Sequence, residues 1–192
     1  MLHTFVAYVE DLPGVLTRVA SLFRRLNINI NSLTVGRSER PHLSRLTLVC
    51  EASAEAGHRI RASLFKLENV VDVDDLAQDP SVTRELALIK VAATPRNRAQ
   101  IFDLVEVFRA RIVDLTSESL MIEMTGVESK IEGLIEVLRE DDGRILEICR
   151  SGKMTMRRGH HVSSVLKAMG RVEDAAETTA DSLEESVEAE PE

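Results

Sequence analysis

Aromatic residues make up only 3% of this 192-residue chain, with no tryptophan, one tyrosine and five phenylalanines. That scarcity leaves core packing to aliphatic side chains. It also argues against a sheet that stacks nucleic-acid bases, because the alternating run Leu43 to Cys50 contains no aromatic residue. Cysteine is scarce as well: Cys50 and Cys149 stand far apart inside apolar runs. They cannot form a disulfide framework and are expected to be buried free thiols, since cysteine packs as a small hydrophobe. No apolar run reaches the ~18 residues of a membrane-spanning helix. Met1-Leu2-His3 leads directly into a strand pattern, so no secretory leader is expected. A reducing cytoplasm is the expected location, with no membrane partner.

Chemistry is missing too. There is no nucleophile with a base and an orienting group, no paired-carboxylate cleft and no phosphate-cradling glycine loop. The histidines His3, His42, His58, His160 and His161 show no metal-ligand spacing. The chain is therefore expected to have no catalytic residues, no metal site and no cofactor of its own.

The net charge of −8 is concentrated at one end. Residues 172–192 hold nine acids and no base; without them, 24 basic residues face 23 acidic ones. Such a like-charged, apolar-poor run cannot repay its ordering entropy and is expected to be disordered. The rest is nearly neutral, which again disfavours a nucleic-acid partner.

What is present is one pattern twice. Phe5 to Val9 reads as a strand, and Val15, Leu16, Val19, Leu22, Phe23 and Leu26 fall on one helical face. Ile28 to Val35 suggests a second strand and Leu46, Leu48 and Cys50 a third. Ile60, Leu64 and Leu67 mark another helix, and Val70 to Val73 a fourth strand. The second copy runs from the strand Leu86–Val91 through a helix matching the first at an offset of 85, so that Ile101 answers Leu16, to a last strand at Ile145–Ile148. Gln78 to Ser81 reads as the boundary loop. The predicted fold is α+β, two tandem ferredoxin-like βαββαβ domains over residues 1–78 and 84–160, followed by an acidic tail over 161–192. Each unit puts both helices on one face of a four-stranded antiparallel sheet. The other face needs a cover, and a second copy of the chain is the economical one.

The best site candidate is the turn Glu10-Asp11-Leu12-Pro13-Gly14-Val15 with the later segment Asn27 to Leu33. Gly14 lets backbone approach a ligand, and the helix start after it offers unpaired N–H groups suited to a carboxylate. Asp11 can take an ammonium, and Asn29 offers both a donor and an acceptor. The two segments are expected to meet in one crevice. The same residues also fit a purely structural turn, with Asp11 capping the helix and Pro13 in its first turn. Arg37, Arg40 and Arg45 could form an anion patch, or could simply be solvated.

Phe23-Arg24-Arg25, Asn29-Ile30-Asn31-Ser32-Leu33 and Leu43-Ser44-Arg45-Leu46-Thr47 resemble the ACT domain of acetolactate synthase regulatory subunits. Leu88 to Val91, Ile112-Val113-Asp114, Ile122 to Gly126, Arg150-Ser151-Gly152 and Arg157-Arg158-Gly159 are similar to the carboxy-terminal domain of the same subunits. The resemblance spans about residues 2–159.

The resemblance implies a regulatory subunit that binds and activates a large catalytic subunit in branched-chain amino-acid biosynthesis. That partner would carry thiamine diphosphate, Mg and FAD. It further implies feedback inhibition by valine, leucine or isoleucine, valine foremost. The effector would sit where two ACT domains meet in a homodimer, against Asp11, Gly14 and Val15 and against Asn29 and Ile30. Many members of the family have Asn at position 11, and Gly and Glu at 27 and 31. The Asp11 carboxylate here would face the effector's ammonium. An ACT-domain amino-acid sensor acting on some other partner is the alternative.

Overall fold

The computed structural model describes residues 1–140 and 145–159. The expected acidic tail at 161–192 lies outside the described residues.

The first unit comprises β1 (Leu2–Glu10), α1 (Val15–Leu26), β2 (Ile30–Arg37), β3 (Leu43–Glu51), α2 (Ala54–Phe65) and β4 (Val70–Asp75). Its strands form an antiparallel sheet in the order β2-β3-β1-β4. α1 starts at Gly14, whose φ of 89° is left-handed backbone, and stops at Asn27, also left-handed. Asn tolerates that conformation because its short amide can bond locally. Arg24 and Arg25 complement the carboxyl end of the helix. α2 is capped by Ser53, whose Oγ accepts from the Ala56 N–H at 3.2 Å. The helices bury Val19, Phe23, Ile60 and Leu64 against Phe5, Leu46 and Leu48, each worth about 1.5–3 kcal/mol of apolar burial.

The second unit comprises β5 (Ser81–Ala92), α3 (Arg98–Val107), β6 (Arg111–Leu115), β7 (Ser119–Gly126), α4 (Glu128–Glu140), β8 (Ile145–Arg150) and β9 (Met154–Arg157). The sheet order is β6-β7-β5-β8, with β9 paired to the first residues of β5. The architecture is thus the expected tandem of α+β units. α3 is rotated relative to the sequence-based match. Val15 and Val19 are buried on α1 as Ile101 and Val105 are on α3, an offset of 86, whereas Leu16 is 44% exposed.

Three expectations need correction. Ser81 is no boundary loop, because β5 already begins there and runs twelve residues through both sheet regions. Cys149 is exposed, unlike Cys50. It pairs with Leu88 on the face of the second sheet that carries no helix, and nothing among the described residues covers it.

The third concerns the helix-free face of the first sheet, where Val6, Thr47 and Val49 are all buried. A ribbon from the same chain, β9 with the start of β5, lies against this face. Arg45 donates to the Thr155 carbonyl at 2.5 Å. Thr34 Oγ1 donates to the carbonyls of Ser151 and Lys153 at 3.3 and 3.2 Å, and Ser32 Oγ accepts from the Lys153 N–H at 2.9 Å. A second copy is not needed there. The uncovered apolar surface is instead at the sheet's edge, where Leu33 and Val35 on β2 are 38% and 41% exposed.

Candidate functional site

The β1–α1 turn is built by short-range chemistry. The Asp11 N–H donates to the His42 carbonyl at 2.8 Å, which docks the turn on the β2–β3 loop. Asp11 does not cap α1: the N-cap is Gly14, with no side-chain cap hydrogen bond among the described residues. Its Oδ1 instead accepts from Ser44 Oγ at 3.2 Å. The Val15 N–H donates to the Leu12 carbonyl at 3.5 Å, and the N–H groups that follow it at the head of α1 keep their capacity to hold an anion. Gly14 is exposed, with open space where a Cβ would stand, and Val15 is buried beneath it. Asp11 also lines a cavity of about 360 Å³ with Arg37, Arg40 and His42. Arg45 is no part of that cluster, since it bonds Thr47 and Thr155 and lies 6.0 Å from the Tyr8 ring.

The other half is elsewhere. Asn29 is exposed and Ile30 half-buried at the start of β2. In the sheet, Glu10 pairs with Leu43 whereas Ile30 pairs with Cys50. Seven residues of β3 separate these two levels, about 23 Å at the usual strand rise. One copy therefore holds Asp11 and Gly14 at one end of its sheet and Asn29 and Ile30 at the other. The single crevice expected from sequence does not form within one chain, because α1 carries the backbone the full length of β1 before β2 begins.

Two polar clusters were missed in the sequence. In one, His3 is 3% exposed, its Nδ1 is 2.7 Å from Asp75 Oδ2, and its ring stacks on Phe5 with centroids 5.7 Å apart. Cys50 sits opposite His3 on β3, and burial together with the nearby Asp75 charge pushes its thiol up to about 11. In the other, Arg150 makes two 2.7 Å bonds to buried Glu85 and one to Glu132. The hydrogen bond to Glu85 is the main cause of a guanidinium held above its ordinary range. The pairings span 72 and 65 residues, which no local pattern encodes. Among the described residues no cluster of His, Cys, Asp or Glu could hold a metal, and no helix is long and apolar enough to cross a membrane.

Two linked βαββαβ units with a glycine-shaped strand–helix turn define a tandem ACT-like protein. Comparison with known sequences narrows this. A family described as the small subunit of acetolactate synthase matches residues 84–159, and the ACT domain like that of the AHAS small subunit matches residues 5–72. The chain is 45% identical over 160 residues to a probable acetolactate synthase small subunit of Archaeoglobus fulgidus, covering 83% of this chain and 99% of that protein. It is 47% identical over 157 residues to the acetolactate synthase small subunit of Mycolicibacterium smegmatis, covering 82% and 91%. The crystal structure of the small subunit from Thermotoga maritima superimposes with a TM-score of 0.77 at 38% identity, covering 84% of this chain and 99% of that one. The chain belongs to the acetolactate synthase small subunit family.

Proposed function

We propose that this chain is the regulatory subunit of an acetolactate synthase, acting in the cytoplasm. It binds a large catalytic subunit, raises that subunit's activity and confers feedback inhibition by a branched-chain amino acid, valine first. The observation that carries the reading is the division of the candidate residues between opposite ends of one sheet, beside an open edge strand. Antiparallel pairing of β2 with β2 of a second copy about a twofold axis would bring the Asn29 end of one sheet toward the Asp11 end of the other. It would also cover Leu33 and Val35. Asp11, Gly14 and Val15 of one copy then face Asn29 and Ile30 of its mate. The helix start takes the effector carboxylate, Asp11 its ammonium and Asn29 either group. Because each site needs two copies, occupancy acts on the dimer contact, and that contact biases the partner enzyme between two states.

The test is to mix the purified chain with its cognate catalytic subunit and titrate valine, leucine and isoleucine. Activity should rise on mixing and fall with at least one of the three. Asn29→Ala should weaken effector binding by about 1–3 kcal/mol while leaving activation intact. No activation on mixing, or no response to any of the three, overturns the proposal.

A further inference from the structure

A groove of about 620 Å³ lies where β9 and the start of β5 meet β2 and β3. Val35, Val82, Met154 and Met156 give it an apolar lining, and the two methionines are 47% and 67% exposed. Methionine adapts its shape to a partner, and apolar surface left open and rimmed by polar groups marks a contact. Every charged residue of the lining is an arginine: Arg37, Arg45, Arg84 and Arg157. Arg157 is neutralised by Asp79 and Asp74. The other three are not. Arg45 donates to Thr47 and to the Thr155 carbonyl, and Arg84 to the Thr83 carbonyl, all uncharged acceptors. Arg37 also borders the Asp11 cavity but forms no ion pair among the described residues. The groove thus joins apolar surface to three uncompensated positive charges.

That combination selects an occupant. A simple anion would leave the methionines uncovered, and an apolar ligand would desolvate the arginines without pairing them. A second copy docked patch to patch about a twofold axis would set the arginines against their own counterparts. An acidic segment that also carries apolar side chains answers both needs, and this chain has one. β9 ends at Arg157, and the sequence continues for 33 residues past Gly159. Between positions 172 and 192, nine acids and no base accompany Val172, Leu183 and Val187. Val172 is 13 residues beyond Gly159, a reach of up to ~45 Å for extended chain, and β9 is itself a wall of the groove. Tethering holds such a segment at an effective concentration of about a millimolar, so weak charge pairs suffice.

We propose that residues 172–192 dock in this groove of their own chain, with carboxylates on Arg37, Arg45 and Arg84 and apolar side chains on Met154 and Met156. The family matches end at residue 159, so this cover is an addition to the two shared units. Charge holds it, and salt releases it.

The inference does not rest on the proposed function, and its test involves neither an effector nor a catalytic subunit. The full-length chain carrying Cys149→Ser and Ser182→Cys is labelled with a nitroxide at position 182, Cys50 being buried. The methionine methyl signals are then followed by NMR. Loss of the Met154 and Met156 signals is expected, while Met121 keeps its own. Met121 pairs with Lys90, six positions along β5 from Arg84, the partner of Met154. The lost signals should return in about 0.5 M sodium chloride. They should also return when Arg37→Glu and Arg84→Glu, both at exposed positions, are added together. Retention of the Met154 and Met156 signals at low salt overturns the inference, as does their loss along with Met121. Loss that survives both salt and the charge reversals overturns it too, because the contact is then not set by charge. In a last arm, isotope-labelled chain without nitroxide is mixed with nitroxide-labelled chain without isotope. Loss of the Met154 and Met156 signals there means that a neighbour's segment fills the groove and overturns docking within one chain.

Discussion

The imidazole of His3 occupies the space where a side chain at position 57 would begin: a Cβ built on Gly57 falls 2.2 Å from His3 Cε1. Helix α2 can pass this close to β1 only with glycine there. Alanine in a helix interior is ordinarily about 1 kcal/mol better than glycine. Here the sign should reverse, because the His3 ring is held by Phe5 and Asp75 and cannot retreat. Gly57→Ala should cost about 1–3 kcal/mol, read as a lower urea midpoint with unchanged slope. Gly133→Ala in α4 is the control. Its Cβ would meet only Phe108 at 3.6 Å, an ordinary contact, and it should be neutral or stabilising.

Arg150 and Glu85 should behave as a unit. The Glu85 side chain is 5% exposed, so Arg150→Met leaves a buried carboxylate without its cation and should cost about 3–5 kcal/mol. Adding Glu85→Gln should recover part of that loss, because an amide is cheaper to bury than an unpaired charge. Chemical denaturation of the two single variants and the double variant gives the coupling energy.

The two thiols should differ sharply. Cys149 is exposed and should react with an aromatic disulfide reagent in the native state at neutral pH, whereas Cys50 should react only on unfolding. Cys50 also imposes a pH dependence. The folded thiol keeps its proton up to about 11, while the unfolded one loses it near 9.0. Between those values the unfolded chain binds fewer protons, so stability falls as pH rises through this window. The difference in unfolding free energy between the native chain and Cys50→Ala, followed from pH 8.5 to 11 in steps of about half a unit, should carry that slope.

Gly152 is the hinge of the strap that joins the second unit to β2. Its φ is +78°, and an added Cβ would stand 2.8 Å from Ser32 Oγ and 2.9 Å from Thr34 Oγ1, the two hydroxyls that hold the strap. Gly152→Ala should cost about 1–2 kcal/mol from backbone strain alone and should raise the exchange rate of the Lys153 amide, which donates to Ser32. If that amide stays as protected as in the native chain, the hydroxyl contacts are not what fastens the units.

Much of the fold was legible because it is written at short range. The helical stripe from Val15 to Phe23 and the alternation at Leu46, Leu48 and Cys50 each declare an element within one or two turns of chain. The duplication follows from the same patterns appearing twice. Cys149 was misread for a related reason: an apolar run says that a strand exists, not which of its faces is covered. The offset between the two helices was misjudged by one residue because both Leu16 and Val15 suit an apolar stripe. Only packing shows that Val15 is the one buried.

The turn from Glu10 to Val15 and the segment around Asn29 were visible as the residues with the right chemistry. Their distance was not. Residue types and spacing determine local backbone and the groups it can offer a ligand. Where those groups end up depends on the strand register, here with Glu10 against Leu43 and Ile30 against Cys50. Thus the sequence by itself determined the elements, their repetition and the candidate groups. Only the tertiary structure decided that the site is split between the ends of a sheet, that β9 and not a second copy covers the first sheet, and that Arg37, Arg45, Arg84 and Arg157 line one groove. The physical reason is that hydrogen-bonded register and side-chain packing act between residues from 20 positions apart, as Ile30 and Cys50 are, to 121, as Ser32 and Lys153 are, where no local periodicity reaches.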